Sequence, residues 1–204
     1  MFYKFAWHLL YLFVKILYRL EVKGRENFPQ QGPVIVVANH ANLMDPILLG
    51  IGLGKRQVCF MAKEQLFKIP VLGWIIRRLG VFPVKRGASD REAIRSALRI
   101  LGEGKVLGMF PEGTRYRDGR IHALRSGAAT LAVKSGAVVL PIFIHNSHRI
   151  KFLRFPKIRM LIGEPFKIKL SDNKNKRETI TEGTRLLQEK MGALSEQLSQ
   201  SVTD

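Results

Sequence analysis

The chain has 204 residues, 46% of them apolar, enough for one compact domain with a real core and too many for a chain disordered throughout. Its 34 Lys and Arg against 16 Asp and Glu leave a formal charge of +18, which calls for an anionic partner: nucleic acid, a phosphate-bearing substrate or an acidic membrane face. The single cysteine, Cys59, excludes an internal disulfide, and no CxxC pair or tight His/Cys cluster offers a metal site.

Residues 1–20, MFYKFAWHLLYLFVKILYRL, hold no acid and three bases. The length approaches the roughly 20 residues that cross a bilayer. At about 100° per residue, Lys4, His8, Tyr11, Lys15 and Arg19 form one narrow stripe, and apolar side chains cover the rest. Crossing would bury Lys15, whereas a helix lying in the interface keeps the stripe among headgroups. No small-residue cleavage site follows, so a signal peptide fits less well. The pattern predicts an amphipathic anchoring helix over 1–20. Packing on the domain and true spanning are the alternatives.

Short β-branched runs follow in order: Val34 to Ala38, Val58 to Ala62, Val81 to Val84, Val106 to Phe110, Val138 to Ile144, and a shorter sixth from Arg159 to Ile162. Their length and composition predict buried strands. Helices are predicted between them. Asp45 to Leu53 tolerates Pro46 in its first turn. Ser89 to Leu101 opens with Ser89 and Glu92 at capping-box spacing. Ser126 to Lys134 stops at Ser135-Gly136. Alternation of this kind predicts an α/β fold, a mixed, largely parallel sheet flanked by helices, over 21–170. Residues 171–204 read as a polar linker and a helix from about Glu178 to Leu198, which either packs on the domain or extends from it.

Ligands of open α/β sheets collect beyond the carboxyl ends of strands. Here those ends read NHANLMDP, AKEQ, VKRG and FPEGTRYRDG. The five-residue step from His40 to Asp45 lets the carboxylate hold one ring nitrogen while the other takes a proton from an alcohol. A capping aspartate beside an incidental histidine is the plain alternative. In Phe110 to Arg115, Gly113 permits an unusual turn, Thr114 and backbone amides suit oxygen atoms, and the Arg115 fork suits phosphate. Glu112 either fixes that fork or accepts from a ligand hydroxyl. Lys63, Lys85, Arg86 and Arg115 together would line a basic pocket; singly, each reads as solvated surface. No GxxxxGK[ST] loop and no nucleic-acid reader motif occurs, so nucleic acid is not the expected partner.

These blocks, in this order, resemble the lysophosphatidic acid acyltransferases (1-acylglycerol-3-phosphate acyltransferases) of the glycerolipid acyltransferase superfamily, over roughly 21–166. They are Asn39-His40 with Asp45-Pro46, Ala62-Lys63, Gly80 to Arg86, Phe110 to Arg115, and Val139 to Ile142. The resemblance implies that His40 and Asp45 are the catalytic dyad. It assigns Arg86, Glu112, Gly113, Thr114 and Arg115 to the acceptor or its phosphate, with Lys63 a weaker carry-over and Pro141 in a packing block. Asn42 and Tyr116 depart from the usual serines. The implied reaction moves an acyl group from acyl-CoA or acyl-carrier protein to 1-acylglycerol-3-phosphate, with no bound cofactor and no metal. Glycerol-3-phosphate, another lysophospholipid or an aminoacyl lipid is the alternative acceptor. A lipid acceptor implies a monotopic protein on an acidic membrane surface, facing the cytoplasm. Phe152, Leu153 and Phe155, interleaved with Lys151 and Arg154, would make a second membrane contact.

Overall fold

The computed structural model describes residues 2–54, 56–84, 91–151, 154–169 and 175–203. Its elements run α1 (Phe2–Tyr18), β1 (Glu21–Lys23), β2 (Val34–Ala38), α2 (Asp45–Leu53), β3 (Val58–Lys63), α3 (Pro70–Arg78), β4 (Phe82–Val84), α4 (Arg91–Gly102), β5 (Val106–Met109), α5 (Gly127–Ser135), β6 (Val138–His145), β7 (Arg159–Ile162) and α6 (Lys176–Thr203). The seven strands form one sheet in the order β1-β7-β6-β2-β5-β3-β4. The strands from β6 to β4 are mutually parallel. β7 runs antiparallel to β6, and β1 runs parallel to β7.

Every residue of β2 is buried, as a central strand covered on both faces must be. Val34, Val36 and Ala38 join α1 and α2 in one core layer, whereas Ile35 and Val37 join α4, α5 and α6 in the other. The two faces follow from connection handedness. The steps β2–α2–β3 and β3–α3–β4 move one way across the sheet, and β4–α4–β5 and β5–α5–β6 move back. Right-handed crossovers therefore put α2 and α3 on one face and α4 and α5 on the other.

The predicted helices and strands are present, with two additions. β1 is three residues long and mostly exposed, and its pairing with Arg159–Leu161 defines it. α3 opens on Pro70 and buries Gly73. The predicted cap residue Ser89 lies outside the described residues. α5 ends on Gly136 at φ 67°, a left-handed stop that glycine adopts freely. α6 packs on the domain, burying Leu187, Met191, Leu194 and Leu198. α1 packs too: Val14 and Tyr18 enter the core, and Trp7 Nε1 donates to the Gly50 carbonyl at 3.0 Å. Its other side leaves Leu9, Leu12, Phe13 and Ile16 exposed. No described helix is long and apolar enough to cross a membrane.

Candidate active site

Parallel pairing of β2 through β5 brings their carboxyl ends to one edge, where the segments singled out in the sequence meet. β2 stops where Asn39 turns inward. The buried Asn39 amide donates to the Ile144 carbonyl at 3.0 Å and accepts from the Ile144 N–H at 2.8 Å. That clamp ties the end of β2 to β6 and leaves His40 as the first residue free to turn into the loop. The loop then folds around Asp45, the first residue of α2. Asp45 Oδ2 accepts from the Ala41 N–H at 2.7 Å, the Asn42 N–H at 2.7 Å and His40 Nδ1 at 2.9 Å. Asp45 is fully buried, and His40 keeps 18% of its side chain exposed. An ionised carboxylate only accepts, so the neutral imidazole in this contact is the tautomer with its proton on Nδ1, which leaves the lone pair on Nε2.

The ring is also held from the side. His40 stacks on Phe110 at 4.1 Å between centroids, and Phe110 stacks on Phe60 at 6.0 Å. Phe60 pairs with Gly108 across β3 and β5. A Cβ at Gly108 would stand 2.2 Å from the Phe60 ring. Gly108 thus makes room for Phe60, Phe60 backs Phe110, and Phe110 backs the imidazole. Sequence reasoning missed this chain. Its one local signal was a glycine inside the otherwise bulky run of β5.

Glu112 does not grip Arg115, one of its two expected roles. It is buried, and its carboxylate accepts the His40 N–H at 3.0 Å and the His122 N–H at 3.3 Å. Burial pushes its carboxyl up from the ordinary range, and the His40 and His122 amides oppose that rise. Glu112 therefore ties the turn after β2 to the loop after β5. The Tyr116 N–H adds a second tie to the His40 carbonyl at 2.9 Å. A backbone donor does that work, so the departure from serine at 116 leaves it intact. Asn42, the other departure, accepts from the Met44 N–H at 3.1 Å and donates to the Ile150 carbonyl at 3.2 Å. Gly113 takes φ 74°, and a Cβ there would lie 2.7 Å from Arg125 Nε. Bare backbone at Gly113 lets the Arg125 guanidinium lie against it.

Arg115 and Thr114 are exposed. Arg115 lines a small cleft of about 180 Å³ with Asn42, Arg117, His148 and Lys151. Lys63 ends β3 and is exposed. It is not among the residues that line this cleft. Lys85 and Arg86 lie outside them. The histidine of the cleft, His148, is held below its ordinary pKa, chiefly by burial and then by Arg149, with Asp118 opposing.

Fold and site together define a three-layer α/β protein with a carboxylate-held histidine at the strand ends, flanked by basic residues. A family model described as Acyltransferase matches residues 19–145. The chain is 30% identical over 164 residues to the 1-acyl-sn-glycerol-3-phosphate acyltransferase of Bacillus subtilis, covering 80% of this chain and 81% of that one. It is 33% identical over 157 residues to the chloroplastic enzyme of that name, LPAT1, of Arabidopsis thaliana, covering 72% of this chain and 44% of the plant protein. The chain thus spans less than half the length of its plant relatives. The crystal structure of the 1-acyl-sn-glycerophosphate acyltransferase PlsC of Thermotoga maritima superimposes with a TM-score of 0.75 at 31% identity, over 97% of this chain and 81% of that one. The chain belongs to the acyltransferase family, in its glycerolipid branch.

Proposed function

We propose that this protein transfers a fatty acyl group from acyl-CoA or acyl-carrier protein to the free hydroxyl of 1-acylglycerol-3-phosphate, giving phosphatidic acid. The observation that carries the reading is the His40–Asp45 pair at 2.9 Å with Asp45 fully buried. His40 Nε2 takes the hydroxyl proton as the oxygen attacks the thioester carbonyl. Removal is concerted with attack, because an alcohol's own pKa lies far above neutrality. The new ester C–O bond forms, the C–S bond breaks, and the proton on His40 passes to the departing thiolate. Asp45 keeps the ring in the useful tautomer and stabilises the imidazolium while it lasts. The Arg115 cleft supplies the charge and donors that an acceptor phosphate takes, with Lys63 and Arg86 as further basic groups for it. Glu112 and Gly113 shape the loop that carries Arg115.

A lipid acceptor fits the outer side of α1. Leu9, Leu12, Phe13 and Ile16 form an exposed apolar strip beside Lys15 and Arg19, the arrangement of a helix that lies in an interface. The protein is read as monotopic, on the cytoplasmic side where soluble thioesters reach it. The test is a product-resolved assay crossing several lysophospholipids and glycerol-3-phosphate with both donor classes. Wild-type protein is expected to favour 1-acylglycerol-3-phosphate. His40→Ala should lose about 10²–10⁴-fold in turnover, the usual worth of a general base. Asp45→Asn should lose most of it while circular dichroism stays native. Wild-type turnover by His40→Ala would remove the base assignment.

A further inference from the structure

We propose that α3 and the turn before it are a second lipid-docking element that seats an anionic bilayer beside the catalytic edge, independently of α1. From Leu66 to Val84 the only polar side chains are Lys68, Arg77 and Arg78, and no acid occurs between Glu64 and Asp90. A surface helix ordinarily turns its polar side outward. α3 does the reverse at three of its exposed positions. Val71 is 72% exposed and Trp74 49%, with Leu72 and the preceding Leu66 and Ile69 also open to solvent. Gly73 is the position turned inward, close against the Phe67 backbone.

The bases frame this apolar surface and do not interrupt it. Arg78 lies over the Trp74 ring at 5.2 Å, and Arg77 lies over the buried Phe67 ring at 5.5 Å. Exposed apolar groups beside an indole, with Lys68, Arg77 and Arg78 as the charged residues from Leu66 to Val84, match an acidic headgroup layer over acyl chains. A soluble protein partner would be met by the same groups, but from Leu66 to Val84 every charge is a cation and no Ser, Thr, Asn or Gln occurs, which favours lipid. Position supports the choice. By connection handedness α3 lies on the same sheet face as α2, the face on which α1 packs. It also connects the end of β3, at Lys63, to β4. A lipid substrate gives this docking its purpose, as proposed above, whereas its test needs no turnover.

Trp7 and Trp74 are the only tryptophans. In the full-length Trp7→Phe variant, Trp74 reports alone. With vesicles of phosphatidylglycerol and phosphatidylcholine, its emission should shift to the blue and be quenched by brominated acyl chains. Vesicles of phosphatidylcholine alone should give a smaller change, and added salt should reduce the difference. The difference between wild type and Trp74→Phe gives the same readout if Trp7→Phe folds poorly. Val71→Asp should weaken partitioning into the acidic vesicles by about tenfold and slow acylation of vesicle-embedded acceptor while sparing a soluble short-chain acceptor. Emission that stays unshifted and unquenched while the protein floats with vesicles overturns the proposal. So does failure to float, or a shift that grows with protein concentration without lipid, which would assign the surface to a second copy of the chain. Loss of acyl transfer with Trp74 still quenched would overturn the enzymatic reading alone.

Discussion

At the scale of single residues, the site is organised by buried acceptors and not by surface charge. Asp45 Oδ2 gathers three donors from the loop that carries His40, and Glu112 gathers two from separate loops. Both carboxylates are buried, where a lost partner costs more than it would in water. The cations differ, since Arg115 is exposed at the mouth of its cleft. Its removal should therefore spare the fold and act on binding. Arg115→Ala is expected to raise the KM for a phosphorylated acceptor roughly ten- to a hundredfold, the worth of one or two charge-assisted hydrogen bonds. Arg115→Lys should recover only part, because an ammonium lacks the guanidinium fork. Acceptor kinetics at saturating donor, with a non-phosphorylated acceptor as control, provide the check. Equal effects on both acceptors would take Arg115 out of phosphate binding.

At the scale of elements, close approach decides where the helices sit. Gly73 donates to the Ile69 carbonyl at 2.6 Å, and a Cβ added to it would come 2.4 Å from the Phe67 carbonyl oxygen. Alanine is the better helix former by about 1 kcal/mol, so propensity alone favours Gly73→Ala. The clash is with backbone, which cannot swing aside, and overpacking of this kind costs about 1–3 kcal/mol. The clash should win. Urea unfolding of Gly73→Ala is expected at a lower midpoint than wild type, and an unchanged or raised midpoint would show that α3 has room to shift.

Across the whole molecule, the +18 charge makes association with acidic surfaces salt-sensitive. Histidines couple stability to pH as well. His145, at the end of β6, is held below its ordinary pKa by burial, with Arg159, His148 and Arg149 adding repulsion. His148 shifts the same way. The unfolded chain takes up these protons near the ordinary value of about 6.5, while the folded chain resists them. The unfolded state then binds more protons, so stability rises with pH across that interval. It should be fully present above about 6.5, fall as pH drops toward the depressed folded values, and level off below them. Urea midpoints at neutral and mildly acid pH should separate for wild type and separate less for His145→Gln. An equal separation would exclude His145 as a source.

Local chemistry made much of this legible in the sequence. Strands β2, β3, β5 and β6 are runs of β-branched and apolar residues long enough to be buried on both faces, and they occur where those runs stand. His40 and Asp45 are five positions apart, so one turn decides whether they meet, and the Asp45 carboxylate holds that turn by accepting the Ala41 and Asn42 amides. Elements that depend on distant partners were not legible. β1 is three residues of mixed polarity that become a strand by lying against β7, far along the chain. α3 carries apolar residues on both sides, which hides its helical period. The support of His40 by Phe110, Phe60 and Gly108 requires the register of β3 on β5. The turn of Glu112 toward two backbone amides requires two loops to be brought together. A sequence pattern records which side chain types are available and how far apart they lie along the chain. Strand order and register decide which of them share an edge, because the hydrogen-bonded partner of a strand is chosen by burial on both faces and not by proximity in sequence.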